Sequence, residues 1–268
     1  YNLVDRTIDE YQDATGIDVY NAVDATSGLT DVGNTEHTVT NTGSVAISTS
    51  IKKVGTASIE FTRANSSTLG VAAHSDFVFG TADFTIEAWI YVSNLGVRNY
   101  IMGNRSVQTD TVWTLVTKND GKLWWSHYSE NLMDSGTTLT VNTWHHVAIT
   151  SLSRAMTMWL DGVAVDTYTN TRTYSTSAQL MIGLDGDGGQ GSSNYFGGNL
   201  DEVRISNVAR YTSGFTPSTS AFTSDANTKL LLNGEVIAAV PNTGSSSSIT
   251  AGGTGTGKYY QGESLQAG

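Results

Sequence analysis

Apolar residues along this 268-residue chain recur mostly at every second position, in short runs separated by Gly, Asp, Asn, Ser and Thr. The runs are VAIST, SIEFT, FTIEAWIYV, VWTLVTK, KLWWSHY, WHHVAIT, MTMWLDG, VAVDTYT, QLMIGL, LDEVRIS and TKLLLNG, all within residues 25–235. A period of two places alternate side chains on one face of a strand, so each run is predicted as a strand with one buried face. Two Asp-Gly pairs mark hairpins: Asp120-Gly121 between VWTLVTK and KLWWSHY, and Asp161-Gly162 between MTMWL and VAVDTYT. Asp-Gly favours the primed turns whose twist matches the strands they join. In KLWWSHY the alternation sets Leu123, Trp125 and His127 on one face and Trp124, Ser126 and Tyr128 on the other. Only one of those faces can meet an inter-sheet core.

The flanks break the pattern. Residues 1–24 are acidic, with Val4, Ile8 and Tyr11 at helical spacing and Gly16 as a stop, which suits a short helix or an extended attachment arm. Residues 236–268 are rich in Gly, Ser and Thr and have little to bury. The expected division is therefore an N-terminal arm 1–24, a β-sandwich 25–235 and a polar C-terminal tail 236–268. The opening YNLVDRTIDEY is neither a signal peptide nor an initiator Met, so the chain is expected to be processed or to be one portion of a longer product.

Composition agrees and narrows the function. Twenty-eight glycines against two prolines, with 15% charged residues, describe many short strands joined by turns and predict an all-β fold. A net charge of −11 opposes binding to a nucleic-acid backbone or an anionic membrane, since both need clustered Lys and Arg. No apolar run approaches the length of a membrane span. The absence of cysteine removes disulfides, thiol catalysis and Cys-ligated metals.

Candidate chemistry is sparse. His145 and His146 are adjacent in NTWHHVAIT, so on a strand they point to opposite faces and cannot chelate one ion; one is expected to be buried and the other solvated. No H-E-x-x-H, G-x-S-x-G elbow or phosphate loop occurs. Asp201 and Glu202 are adjacent and expected to face opposite ways, and Asp83 and Glu87 are too far apart on a strand to pair closely. The loop LDGDGGQGSSNYF, residues 184–196, holds Asp185 and Asp187 among glycines, a setting that suits calcium, with Asp201 in reserve. As solvated loop residues, the two aspartates are expected to contribute little to stability without the ion. For a glycan, Trp124 and Tyr128 on one strand face could form an aromatic platform, with Asn194 and Tyr195 in the Gly-rich loop as further candidates; core or subunit contact is the competing reading for Trp124 and Tyr128.

The succession DFTIEAWIYV, NDGKLWW, NTWHHVAIT, MWLDGVAVDT, LMIGL and YFGGNLDEVRIS resembles the laminin-G-like jelly roll of the concanavalin A-like class, over roughly residues 50–235. WHHVA, MWLDG and GGNLDEVRI match three recurrent motifs of that family in order. The resemblance implies a two-sheet antiparallel jelly-roll β-sandwich, makes His145 and His146 framework residues, and gives Trp89, Trp144 and Trp159 packing roles. Relatives with glucanase activity carry E-x-D-x-x-E on one strand, which is missing here, so the implied module is non-catalytic. Many such domains hold calcium at a sheet rim. NVARYTSGFTPSTSAFTSDANTKLLLNGE and DATGIDVYNAVD resemble segments of bacteriophage virion proteins. These likenesses imply a carbohydrate- or cell-surface-binding module on a tail fibre or capsid fibre, at the virion surface, with host surface glycans, other virion proteins and a second copy of the chain as partners. The alternative is a structural or capsid decoration protein whose sandwich mediates protein packing.

Overall fold

The computed structural model describes residues 29–104, 112–127, 130–175, 178–185 and 194–235. The arm 1–24, the tail 236–268, Tyr128 and Asp187 lie outside the described residues. Strands β1 (Val39–Thr42), β2 (Ala46–Ser48), β3 (Ser58–Phe61), β4 (Thr68–Val71) and β5 (Phe84–Val92) come first. They are followed by β6 (Asn99–Gly103), β7 (Thr114–Thr117), β8 (Lys122–His127), β9 (Glu130–Thr138) and β10 (Trp144–Leu152). Strands β11 (Ala155–Leu160), β12 (Val163–Thr169), β13 (Leu180–Ile182), β14 (Gly198–Ser206) and β15 (Thr228–Leu232) complete the set. Seven form one sheet in the order β1-β4-β13-β6-β7-β8-β9, and eight form the other in the order β12-β11-β10-β5-β14-β3-β2, with β15 pairing β14. The two antiparallel sheets make the expected jelly-roll sandwich.

The alternation sorts correctly into faces. Ile86, Ala88 and Ile90 of β5, Val147 and Ile149 of β10, and Leu200, Val203 and Ile205 of β14 share one core with Leu69, Ile101, Leu115, Leu123 and Trp125 of the facing sheet. Trp113 and Trp125 stack at 5.2 Å between centroids, and Trp125 Nε1 donates to the Tyr174 hydroxyl at 3.0 Å. Each such apolar side chain stabilises the fold by about 1.5–3 kcal/mol relative to exposure. Trp124, one residue from Trp125, therefore points outward.

Four strands escaped the sequence pattern: VTNT of β1, TLGV of β4, NYIMG of β6 and ENLMDSGTT of β9. They are polar or interrupted by glycine, and their pairing partners hold them extended. The two Asp-Gly hairpins also differ from one another. Asp161 and Gly162 both have positive φ, 51° and 81°, as a primed two-residue turn requires. At the other, only Gly121 is left-handed, and its N–H closes a longer connection onto the Lys118 carbonyl at 2.8 Å.

Residues 207–227, between β14 and β15, run across the outer face of the eight-stranded sheet as a strap. The Val208 carbonyl accepts the Thr85 hydroxyl at 2.7 Å, and the Ser218 carbonyl accepts Trp89 Nε1 at 3.2 Å. Phe215 packs on His146 and Trp159, with ring centroids at 5.6 Å in each case. Trp89, Trp159 and His146 are thus buried beneath this strap and not in the inter-sheet core.

Candidate functional site

A cleft lies on the outer face of the seven-stranded sheet, opposite the face that the strap crosses. Its volume is about 390 Å³. Thr40 and Thr42 of β1, Thr68 of β4, and Asn65, Ser66 and Gln179 supply hydroxyl and amide groups, while Met181, Leu184 and Tyr195 supply apolar surface. Gly70 lies in the floor: a Cβ there would come within 2.4 Å of Gln179 Nε2, so the bare backbone lets the amide rest across β4. Among the described residues, no charged side chain lines the cleft. Neutral hydrogen-bonding groups around an aromatic ring match a polyhydroxylated ligand with one apolar face.

Further along the same face, register pairs Tyr100 with Val116, Val116 with Trp124 and Trp124 with Asp134. Trp124 is half-buried, with Lys118 Nζ 4.1 Å from its ring centroid and its Nε1 3.4 Å from Asp120 Oδ1. Burial, with the Arg98 charge, holds the Lys118 ammonium below its ordinary pKa. Strand β8 lies three places from β13, which at roughly 4.8 Å per strand sets Trp124 about 14 Å from Met181 along the sheet.

Of the glycan candidates, Tyr195 lines the cleft and Asn194 adjoins it, its carbonyl accepting the Tyr100 N–H at 3.4 Å. Trp124 shares the face but stands apart from the cleft. Sequence reasoning missed Thr40, Asn65, Ser66, Gln179 and Met181, none of which carries a local signal. Asp185 departs from expectation, because only 1% of it is exposed and it is no solvated turn residue. Asp201 belongs to β14 of the other sheet, whereas Asp185 follows β13, so these two metal candidates are not brought together.

The opposite face carries buried charge. Glu87 accepts from Arg204 Nε at 2.8 Å and from the Tyr211 hydroxyl at 2.6 Å, and meets His146 Nε2 at 3.2 Å. Burial works to raise the carboxyl's pKa, but His146 and Arg204 together hold it below the ordinary value. The same network raises the Tyr211 hydroxyl, through burial and the Glu87 charge. His145 is partly exposed and brackets the hairpin: its Nδ1 lies 2.8 Å from Asp161 Oδ2 and its Nε2 accepts the Thr140 N–H at 3.2 Å.

Asp201 and Glu202 do not simply alternate. The register shifts between Asp201 and Arg204, and Glu202 takes φ 51°, so this bulge leaves both carboxyls fully buried. Asp201 accepts the Lys53 and Val54 N–H groups at 3.0 and 2.9 Å, and Glu202 accepts that of Phe222 at 2.7 Å. Burial raises Asp201 to about 6, with Glu235 adding to it, and raises Glu202 to about 7, with the Asp201 charge adding to it. The 53–54 segment and the strap thus satisfy Asp201 Oδ2 and Glu202 Oε2, while Asp201 Oδ1 and Glu202 Oε1 are buried without a hydrogen-bond partner.

Residues 65–213 match the laminin G family model described as the concanavalin A-like lectin/glucanases superfamily, and the chain belongs to that family. Domain 4 of the GH43 extracellular arabinanase AbnA from Geobacillus stearothermophilus, solved in complex with arabinotriose, is similar in structure. It has 18% identity and a TM-score of 0.51, over 65% of this chain and 83% of that one. The enzymatically active domain of tailspike protein 2 from bacteriophage CBA120 is also similar, at 13% identity and a TM-score of 0.52. That match covers 74% of this chain and 33% of the tailspike domain. At these identities the likenesses establish a shared fold. A search of curated proteins found no match. Among the described residues no helix is long and apolar enough to cross a membrane.

Proposed function

We propose that the chain is a non-catalytic carbohydrate-binding module of a phage virion protein, displayed at the virion surface on a tail fibre or capsid fibre, and that it meets host surface glycans through the cleft beside β1, β4 and β13. The observation that carries this reading is the lining: hydroxyls, amides and Tyr195 around a volume of about 390 Å³, with no charged group among the described residues. A neutral glycan exchanges its water shell there for hydrogen bonds and lays an apolar ring face on Tyr195. Domain 4 of the arabinanase, solved with arabinotriose, supports the carbohydrate-binding part of the reading, and the phage tailspike domain supports its virion part.

A glycan array with the full chain tests it. Binding to a defined neutral glycan is expected, and Tyr195→Ala should weaken it roughly tenfold, the loss of one aromatic contact of about 1.4 kcal/mol. Gly70→Val, which drives Gln179 off the floor, should abolish it while the melting temperature stays near that of the parent. Failure to bind any glycan with the parent chain would sink the proposal.

A further inference from the structure

A second constellation lies away from the cleft. His37 sits in the segment leading into β1, and His74 and Asp76 sit at the Ser75–Phe77 turn between β4 and β5. Although 39 positions separate His37 from Asp76, one ligand atom from each of the three residues lies within 4.8 Å of the other two. His37 Nε2 is 3.2 Å and His74 Nδ1 3.3 Å from the same oxygen, Asp76 Oδ2. We propose that His37, His74 and Asp76 form a binding site for one divalent transition-metal ion of the zinc class.

The spacing fits. With metal–ligand bonds of about 2.0–2.1 Å, a tetrahedral shell separates its ligand atoms by about 3.3 Å, and two of the three edges already have that length. His74 Nδ1 accepts the Asp76 backbone N–H at 3.2 Å, and an ion held through Nδ1 would take that lone pair in place of the N–H.

The surroundings hold the ligands in place. Asp31 is buried and accepts the N–H groups of Gly33, His37 and Leu231 at 2.8, 2.8 and 2.9 Å, which fixes the 31–37 segment. The Thr35 hydroxyl donates to Asp76 Oδ2 at 2.9 Å, orienting the carboxylate as outer-shell partners do. Phe77 forms a wall, its ring centroid 4.8 Å from that of His37. The His74 side chain is 44% exposed, which leaves room for water as a fourth ligand. Two imidazoles and one carboxylate select zinc, nickel or cobalt over calcium and magnesium, which take oxygen shells. The ion would clip the segment entering β1 to the turn after β4, fastening the first strand that borders the cleft.

Isothermal titration of the chelator-treated full chain with zinc chloride tests this. One saturable equivalent is expected, and cobalt in its place should give the intense visible band of a tetrahedral ion. Asp76→Asn and His74→Ala should each weaken binding by roughly 10–100-fold or more. His74→Ala alters an exposed side chain, so it stays interpretable if His37→Ala unfolds. His145→Gln, which removes an imidazole elsewhere, should leave the affinity unchanged. Three outcomes would overturn the proposal: no saturable uptake by the folded parent, uptake unchanged in both His74→Ala and Asp76→Asn, or equal uptake of calcium.

Discussion

His146 Nε2 lies 3.2 Å from Glu87 Oε2, and neither side chain has any exposed surface. The contact crosses from β10 to β5, Arg204 of β14 reaches Glu87 Oε1 at 2.7 Å, and Tyr211 joins from the strap. One carboxylate therefore ties three strands to the segment that roofs them. This gives the paired histidines of WHHVA separate structural duties: His146 anchors the strap from below, and His145 braces the Asp161-Gly162 hairpin.

Glu87→Gln should destabilise the fold by roughly 3–5 kcal/mol at neutral pH, because it leaves the Arg204 charge buried without its counter-ion. The Glu87 carboxyl is held below its ordinary pKa, so its contribution is present above the unfolded value and is lost as pH falls through the folded one. Urea denaturation at pH 7 and pH 3 checks this. The parent's advantage over Glu87→Gln should shrink at the lower pH.

Asp201 and Glu202 carry the opposite sign. Their folded values, about 6 and about 7, lie above those of the unfolded chain, so their contribution is fully present below the unfolded values and is lost as pH rises through 6 and 7. Stability should increase on the order of 2 kcal/mol between pH 8 and pH 5. Asp201→Asn combined with Glu202→Gln should flatten that rise. With Glu87 acting at lower pH, the parent's stability maximum is expected on the acid side of neutrality.

The strap is sensitive to one position beneath it. A Cβ on Gly162 would lie 1.8 Å from the Phe215 carbonyl oxygen, and Gly162 has φ 81°. Gly162→Ala should cost roughly 1–3 kcal/mol and loosen residues 207–222. Faster amide exchange confined to that segment and to the adjoining hairpin is the expected signature, with the glycan binding proposed for the far face unaffected.

Calcium at Asp185 and Asp187 is also a proposal that can be measured. Binding to the folded chain alone would add about 2.7 kcal/mol at a hundredfold excess over Kd, so the melting temperature should rise with millimolar calcium. Because Asp185 is buried, Asp185→Ala should destabilise even in chelator, and Asp187→Ala is the cleaner variant. A melting curve indifferent to calcium and chelator would overturn this proposal.

The sequence by itself determined the sandwich class, most of the strands and the face each strand buries, because a period of two is a local property that one-sided burial imposes on every strand. FTIEAWIYV and WHHVAIT show this: Ile86, Ala88, Ile90, Val147 and Ile149 enter the core as their alternation predicts. The outer partners of those same strands were not legible. Whether His146, Glu87 and Trp89 meet water or protein depended on where a polar segment 60 or more residues away would lie, as the separation of 124 between Glu87 and Tyr211 illustrates. Tertiary structure alone decided the cleft, since Thr40, Asn65, Gln179 and Tyr195 become neighbours only when β13 inserts between β4 and β6. It likewise decided the meeting of His37 with His74 and Asp76. Strand pairing at long range leaves no periodic trace in the residues it joins, so local pattern can state what each strand buries but not which strands will stand side by side.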